Sequence, residues 1–442
     1  MNKFIIFFIV MGCLSCGDGF LDVKPSSNTV VPTTLDDFEQ LLNYGNLVYA
    51  YPDMLDVLAD DYYLEEAYWK TQFNYLPIVA NAYIWADDIF ETIESDYQNW
   101  EKMYAQVFYA NVVLEGINNI QLNAKNIRQH NQVQGTALFL RAWALYNLAQ
   151  LYAPAYKEST ASRDLGVPIP LLSDVNEKVK RNSVVEVYHR ILTDLETAIS
   201  LVQAEVDFGR PSKAAVYALR ARVLLAMGIY EEALDMATKS INVHDALVDL
   251  DGEELDYKKT LYMGFETNGP FIQSNNQNIQ IKQDLFDSYD LNDLRRSFFK
   301  FNAQGNPYYV SQYKIGNLFF RGLDTDEQYL IKAECEARLG DKDQAMATLN
   351  HLLKHVHSSY VDKTVVTKEE ALNIILQERR KQLVFRGLRW SDLKRYNRDG
   401  ANISLTRILG EKSYTLPANS LKWLFPIPSN EIKISGIPQN IR

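Results

Sequence analysis

The chain has 442 residues, 47% apolar and 23% charged, the balance of an ordinary globular protein, which excludes wholesale disorder and collagen-like repeats. A net charge of −11 argues against a phosphate-backbone binder, which needs a basic footprint. The informative excess is in rings: 12% of the residues are aromatic, and 27 of those are Tyr.

In chain order, Lys3 gives a short positive region and an apolar run follows from Phe4 to Leu14. A helix needs about 17–25 residues to cross the hydrocarbon core, so this shorter run reads as a signal peptide over 1–15 and not as an anchor. Leu14-Ser15-Cys16 resembles a bacterial lipobox, in which the cysteine is diacylated and becomes the new N-terminus; Cys13, after Met11-Gly12, competes for that role. Residues 16–33, rich in Ser, Thr, Pro and Asp, then read as a lipidated tether. A lipidated Cys16 leaves Cys335 without a disulfide partner, and Cys335, among Ala333 and Ala337, reads as helix packing.

Residues 34–442 read as a single, mainly α-helical domain. Helical patterns cover 34–45, 98–120, 131–152, 183–203, 211–228, 230–243, 325–339, 342–356, 367–385 and 389–397; strand-like runs are few and short. Tyr217, Ala221, Gly228 and Ala233 recur 112 residues later as Tyr329, Ala333, Gly340 and Ala345. Both copies follow the tetratricopeptide pattern, with small residues where paired helices touch and a Gly to end the first helix in the left-handed conformation. Weaker pairs flank them, so four pairs are expected near 131–203, 211–243, 325–356 and 367–397, the last turning at Gly387. Inserts near 46–97 and 244–324 interrupt the array; the first is crowded with Tyr and Trp, and the second carries the amide-rich stretch 273–278. Rings on loops held by a rigid helical frame suit a binding surface.

Several landmarks together resemble one family. Ser15-Cys16 is followed by Phe20-Leu21-Asp22 and Pro25; residues 136–152 are followed by Gly166-Val167-Pro168-Ile169-Pro170; Arg210-Pro211-Ser212-Lys213 opens the first repeat; 378–395 reads ERRKQLVFRGLRWSDLKR; and Leu424-Phe425-Pro426-Ile427-Pro428 lies near the end. In this combination the chain resembles the SusD/RagB nutrient-uptake lipoproteins of Bacteroidetes over nearly its whole length. It departs from their pattern in having Phe385-Arg386-Gly387 for Phe-Glu-Gly and in lacking the Asn-Pro-Gly-Tyr ending. The resemblance implies a SusD-like fold, in which four helix pairs support an irregular, loop-rich binding face. It implies no catalysis and no cofactor, a lipid anchor in the outer membrane facing the cell exterior, and a SusC-type TonB-dependent transporter as partner. The ligand it implies is a glycan or, alternatively, a peptide.

Sugar rings lay their C–H faces on aromatic rings while their hydroxyls need amide or charged partners. Trp69 and Trp85 are the first stacking candidates, then Tyr63, Tyr68 and Tyr83, with Asp60, Asp61 and Asn81 as polar partners. Tyr308 and Tyr309, after Pro307, form a candidate loop-tip pair. Trp100 and Tyr104, four apart on a helix, read as core, and the 378–395 charges as ion pairs pinning the last helices with Phe385 and Trp390 buried. His351 and His355 have zinc-helix spacing, but no Glu follows His351 and no further ligand completes a set, so no metal is expected. The acidic pairs Asp60-Asp61, Glu65-Glu66 and Asp87-Asp88 do not by themselves make a glycosidase, which needs two carboxyls set across a cleft.

Overall fold

The computed structural model describes residues 32–45, 49–90, 99–205, 209–250, 257–264, 275–310 and 319–442. Cys13, Cys16, most of the tether, Gln273, Ser274 and Tyr313 lie outside the described residues.

The helices are α1 (Leu35–Leu42), α2 (Met54–Val57), α3 (Glu66–Tyr75), α4 (Pro77–Tyr83), α5 (Asn99–Gly116), α6 (Ile127–Tyr152), α7 (Val184–Leu201) and α8 (Lys213–Met227). They continue as α9 (Tyr230–Val243), α10 (Gln283–Asp287), α11 (Thr325–Leu339), α12 (Lys342–Lys354), α13 (Lys368–Gln382), α14 (Arg389–Arg398) and α15 (Ser429–Ser435). Short polar side chains start the long ones. Thr34 and Ser183 make reciprocal capping boxes with Asp37 and Glu186, and Asp324 accepts from the Glu327 N–H at 3.1 Å. Gly228 (φ 82°) and Gly340 (φ 102°) end α8 and α11 in the left-handed region, as the repeat requires.

α5 packs on α6, α6 on α7, α7 on α8, α8 on α9, α9 on α11, and α11 on both α12 and α13, so the two repeats stack directly despite the insert between them. The contact alanines Ala221, Ala233, Ala333 and Ala345 are fully buried, as is Cys335. Burial, with the Glu334 carboxylate beside it, pushes the Cys335 thiol far above its usual range, leaving it an inert packing group. The last pair is more open than its sequence suggests. Chain reversal through Phe385 (φ 52°) and Gly387 (φ 71°) sends α14 chiefly against α2 and α8. A Cβ at Gly387 would stand 2.4 Å from the Tyr51 ring, so this turn requires glycine.

The expected irregular face is more regular than the sequence suggests. Much of 46–97 is helical, as α2, α3 and α4. Strands β1 (Tyr62–Tyr63), β3 (Gln280–Ile281), β4 (Phe299–Phe301) and β5 (Pro307–Tyr309) join both inserts in one antiparallel sheet of order β1-β3-β5-β4. β2 (Thr260–Tyr262) pairs with β6 (Leu323–Asp324), and a hairpin, β7 (Leu405–Leu409) and β8 (Lys412–Leu416), follows α14.

Candidate functional site

Side chains directly opposite each other on paired strands share a face. Tyr62, Ile281, Phe299 and Tyr309 line the inner face and are all buried. Phe385 closes that face: its ring stacks on Phe319 (5.0 Å, 4°) and lies 6.0 Å from Tyr62 and 5.6 Å from Tyr309. The outer face carries Tyr63 opposite Gln280, Gln280 opposite Tyr308, and Tyr308 opposite Lys300. Both tyrosines are half-buried and Lys300 is exposed. Two strand spacings, roughly 10 Å, separate the tyrosines. Gln280 lies between them and accepts from Asn306 Nδ2 at 2.8 Å.

An amide turn extends this face. Asn275 (φ 63°) hangs from β5 through its N–H to the Tyr309 carbonyl at 3.1 Å. Asn276 donates from Nδ2 to Tyr68 Oη at 3.0 Å, and its Oδ1 accepts from the Asn278 N–H at 3.1 Å. Tyr68 therefore joins Tyr63 and Tyr308 around a set of amides. Burial, with Glu65 nearby, pushes the Tyr63 phenol up, so it stays a neutral hydroxyl. Trp69 is half-buried, donates from Nε1 to the Ala80 carbonyl at 3.0 Å and pairs with the exposed Phe73 ring at 5.7 Å.

The other candidates belong to the interior. Trp85 and Tyr83, with Tyr62, surround the buried Arg407 guanidinium, whose carbon lies 4.5, 3.8 and 5.4 Å from the respective ring centres. Arg407 donates to the carbonyls of Tyr83, Val57 and Ala59, and Trp85 Nε1 donates to the Leu58 carbonyl at 3.2 Å. Tyr309 is on the inner face, and Asn81 is buried with Nδ2 3.4 Å from the Ile89 carbonyl. Asp60 and Asp61 are engaged by the 378–395 segment: Arg389 bonds Asp60 at 2.7 Å and Arg380 bonds Asp61 at 2.7 Å. Burial pushes the Asp60 carboxyl up, but Arg389 and Arg380 outweigh it and hold the carboxyl well below its usual range. Trp85, Tyr83, Tyr309, Asn81, Asp60 and Asp61 thus have no face to offer a ligand. For Trp85, Tyr83, Asp60 and Asp61 the cause is a cation from Arg407, Arg389 or Arg380, more than 300 positions away and invisible in a local window; Tyr309 and Asn81 are buried by strand alternation and by the neighbouring turn.

The 378–395 segment is a structural clamp, with Phe385 and Trp390 buried. Arg395 pairs with Glu334, Arg386 with Asp324, Arg379 with Asp392, and Glu378 with Arg295, each at 2.7–2.9 Å. His355 pairs through Nδ1 with the Asp249 carboxylate, and His357 is buried with Nδ1 2.9 Å from the Leu353 carbonyl. No group of three metal-ligating side chains occurs among the described residues. Trp100 is buried as expected, yet with Tyr104 and Phe108 it also lines a groove of about 800 Å³ between α5, residues 168–179 and α15, apart from the predicted residues. Gln280 and Lys300 were missed from the candidate list. Their signal is the short alternation Ile279-Gln280-Ile281 and Phe299-Lys300-Phe301, which places each polar residue opposite its apolar neighbours.

Residues 19–225 match the model of a SusD-like family described as starch-binding and associating with the outer membrane, and residues 325–440 match the model of the SusD family. The chain belongs to the SusD/RagB family. It is accordingly a SusD-type binding protein associated with the outer membrane, and not an enzyme. Solved structures share its fold. A Bacteroides vulgatus protein named for sugar binding is 22% identical, with a TM-score of 0.75 over 93% of this chain and 99% of that one. A SusD superfamily protein of Bacteroides thetaiotaomicron is 23% identical, with a TM-score of 0.72 over 92% and 100%. A SusD-like carbohydrate-binding protein of Bacteroides vulgatus is 19% identical, with a TM-score of 0.70 over 92% and 97%. A search of curated proteins finds no significant match.

Proposed function

We propose that this SusD-type protein is a cell-surface lipoprotein, anchored through Cys16, that captures oligosaccharides on the outer face of the four-stranded sheet. It then delivers them to a SusC-type TonB-dependent transporter. The observation that carries the ligand reading is the row Tyr63, Tyr308 and Lys300, which sets two half-buried rings and an exposed ammonium on one rigid sheet face, across the buried Gln280. The starch-binding family description and the sugar-binding names of similar structures point the same way.

A second reading, a peptide ligand, draws on β4. Among the described residues it pairs only with β5, and exposed Lys300 and Phe301 flank its free edge, where an extended backbone could add as a strand. The test is a binding screen of the chain Gly17–Arg442 with matched pools of oligosaccharides and peptides. Saturable glycan binding that weakens on Tyr63→Ala or Tyr308→Ala supports the first reading. Peptide binding without glycan binding replaces it with the second.

A further inference from the structure

The groove of about 800 Å³ between α5, residues 168–179 and α15 shares no residue with the sheet face. Its floor is one stripe of α5: Trp100, Tyr104 and Phe108 stand four residues apart and so share a face. Tyr104 spends its hydroxyl proton on the Pro168 carbonyl at 2.9 Å. The loop wall is fixed from behind. Asn111, fully buried, donates from Nδ2 to the carbonyls of Pro170 and Leu172 at 3.0 and 3.1 Å. Arg141, held by Asp194, donates to Asn111 Oδ1 at 2.9 Å, and Glu115 accepts from the Ser173 N–H at 2.8 Å. The groove is thus preformed, and no ordering of its wall opposes binding. Aliphatic side chains stand on both rims, Leu172 and Val175 on the loop and Ile434 on α15. Val175 and Ile434 are 81% and 85% exposed although an apolar floor lies beside them. Apolar side chains gathered around one groove mark an interaction site, as scattered ones do not.

A sugar fits this groove poorly, because stacking needs an open ring face and Trp100 is only 4% exposed. Charge selects further. Glu101, Asp174, Glu177 and Glu431 line the groove against Lys178 and Lys433, on a chain of net charge −11. Burial pushes the Tyr104 phenol far up, and the Glu431 carboxylate acts in the same direction, which sets Glu431 beside the floor. Among the described residues that carboxylate has no ion-pair or hydrogen-bond partner. A cation placed there meets a carboxylate and an aromatic ring together. From Trp100 to Phe108 the helix rises about 12 Å, which matches about four residues of extended chain. We infer that this groove docks a short extended segment of a partner protein, with aliphatic residues on the ring floor and an Arg or Lys at Glu431.

The test is calorimetry on the chain Gly17–Arg442, which contains every described residue. The probes are synthetic peptides: Leu-Arg-Val-Arg-Leu, its acidic counterpart Leu-Glu-Val-Glu-Leu and the polar Ser-Arg-Ser-Arg-Ser. The first is expected to saturate and to bind roughly tenfold tighter than either control. Val175→Asp and Ile434→Asp, at exposed positions that leave folding intact, should each weaken it roughly tenfold. Glu431→Gln should weaken it less and flatten its salt dependence. Tyr63→Ala should leave it unchanged, which separates this groove from the sheet face. No saturation, equal affinity for the acidic peptide, or binding that survives both rim variants overturns the inference. So does a chain that sediments as a dimer and turns monomeric in Ile434→Asp, since the groove then belongs to a second copy.

Discussion

The two faces of the β1-β3-β5-β4 sheet are built from the same kind of residue and do opposite things. Each of the dipeptides Tyr62-Tyr63 and Tyr308-Tyr309 sends one ring inward and one outward. The inner rings meet Phe385, and the rings beside them wrap Arg407, so they hold the fold; the outer rings, half-buried near a lysine, are those of the proposed ligand face. Aromatic content therefore marks the region, while strand alternation decides which rings are available.

Acid should break the inner side most severely. Burial raises the carboxyls of Glu334, Asp293 and Asp324, but their cationic partners outweigh it and hold each at about 2. Groups depressed in this way contribute stability above their unfolded values of 4.5 for Glu and 3.8 for Asp, and lose it as pH falls toward 2. Asp56 has the opposite sign: burial raises it to about 6, so its contribution is full below 3.8 and lost as pH rises through 6. The three depressed groups outnumber it, so unfolding free energy measured in urea should drop steeply between pH 4.5 and 2. Equal stability at pH 7 and pH 2 would sink the account of the clamp.

Next in size, Arg407→Met should cost roughly 3–5 kcal/mol, because three carbonyl acceptors and a ring-lined site lose their cation together. Trp85→Ala should cost about as much through the cavity it leaves. Denaturant unfolding measures both, and a loss below about 1 kcal/mol in either would return that ring cluster to the list of surfaces. The smallest effect on stability belongs to the outer face. Tyr63→Ala and Tyr308→Ala should change stability by less than about 1 kcal/mol, yet weaken oligosaccharide binding roughly tenfold by calorimetry.

The frame was legible because its signals are local. Helical periodicity, caps and the paired glycines of the 112-residue repeat located the long helices within a few residues. The short helices α2, α3 and α4 and the two- and three-residue strands were not, since so few residues carry no distinguishable period. Site residues divided along the same line. Trp85 and Asp60 look like ligand-binding residues until Arg407 and Arg389, more than 300 positions away, are brought beside them.

Those long pairings bear on how the chain acquires its structure. Asp60 meets Arg389 across 329 positions, Asp61 meets Arg380 across 319, and the Gly387 N–H meets Asp56 across 331. Until the 378–395 segment is present, the neighbouring carboxylates Asp60 and Asp61 lack the cations that make their burial tolerable, and Asp56, paired with Arg321, lacks the Gly387 N–H. Closure is thus tied to the last fifth of the chain. Such non-local contacts slow folding, and a chain held open until its C-terminal segment arrives is a chain that can still be threaded through an export channel.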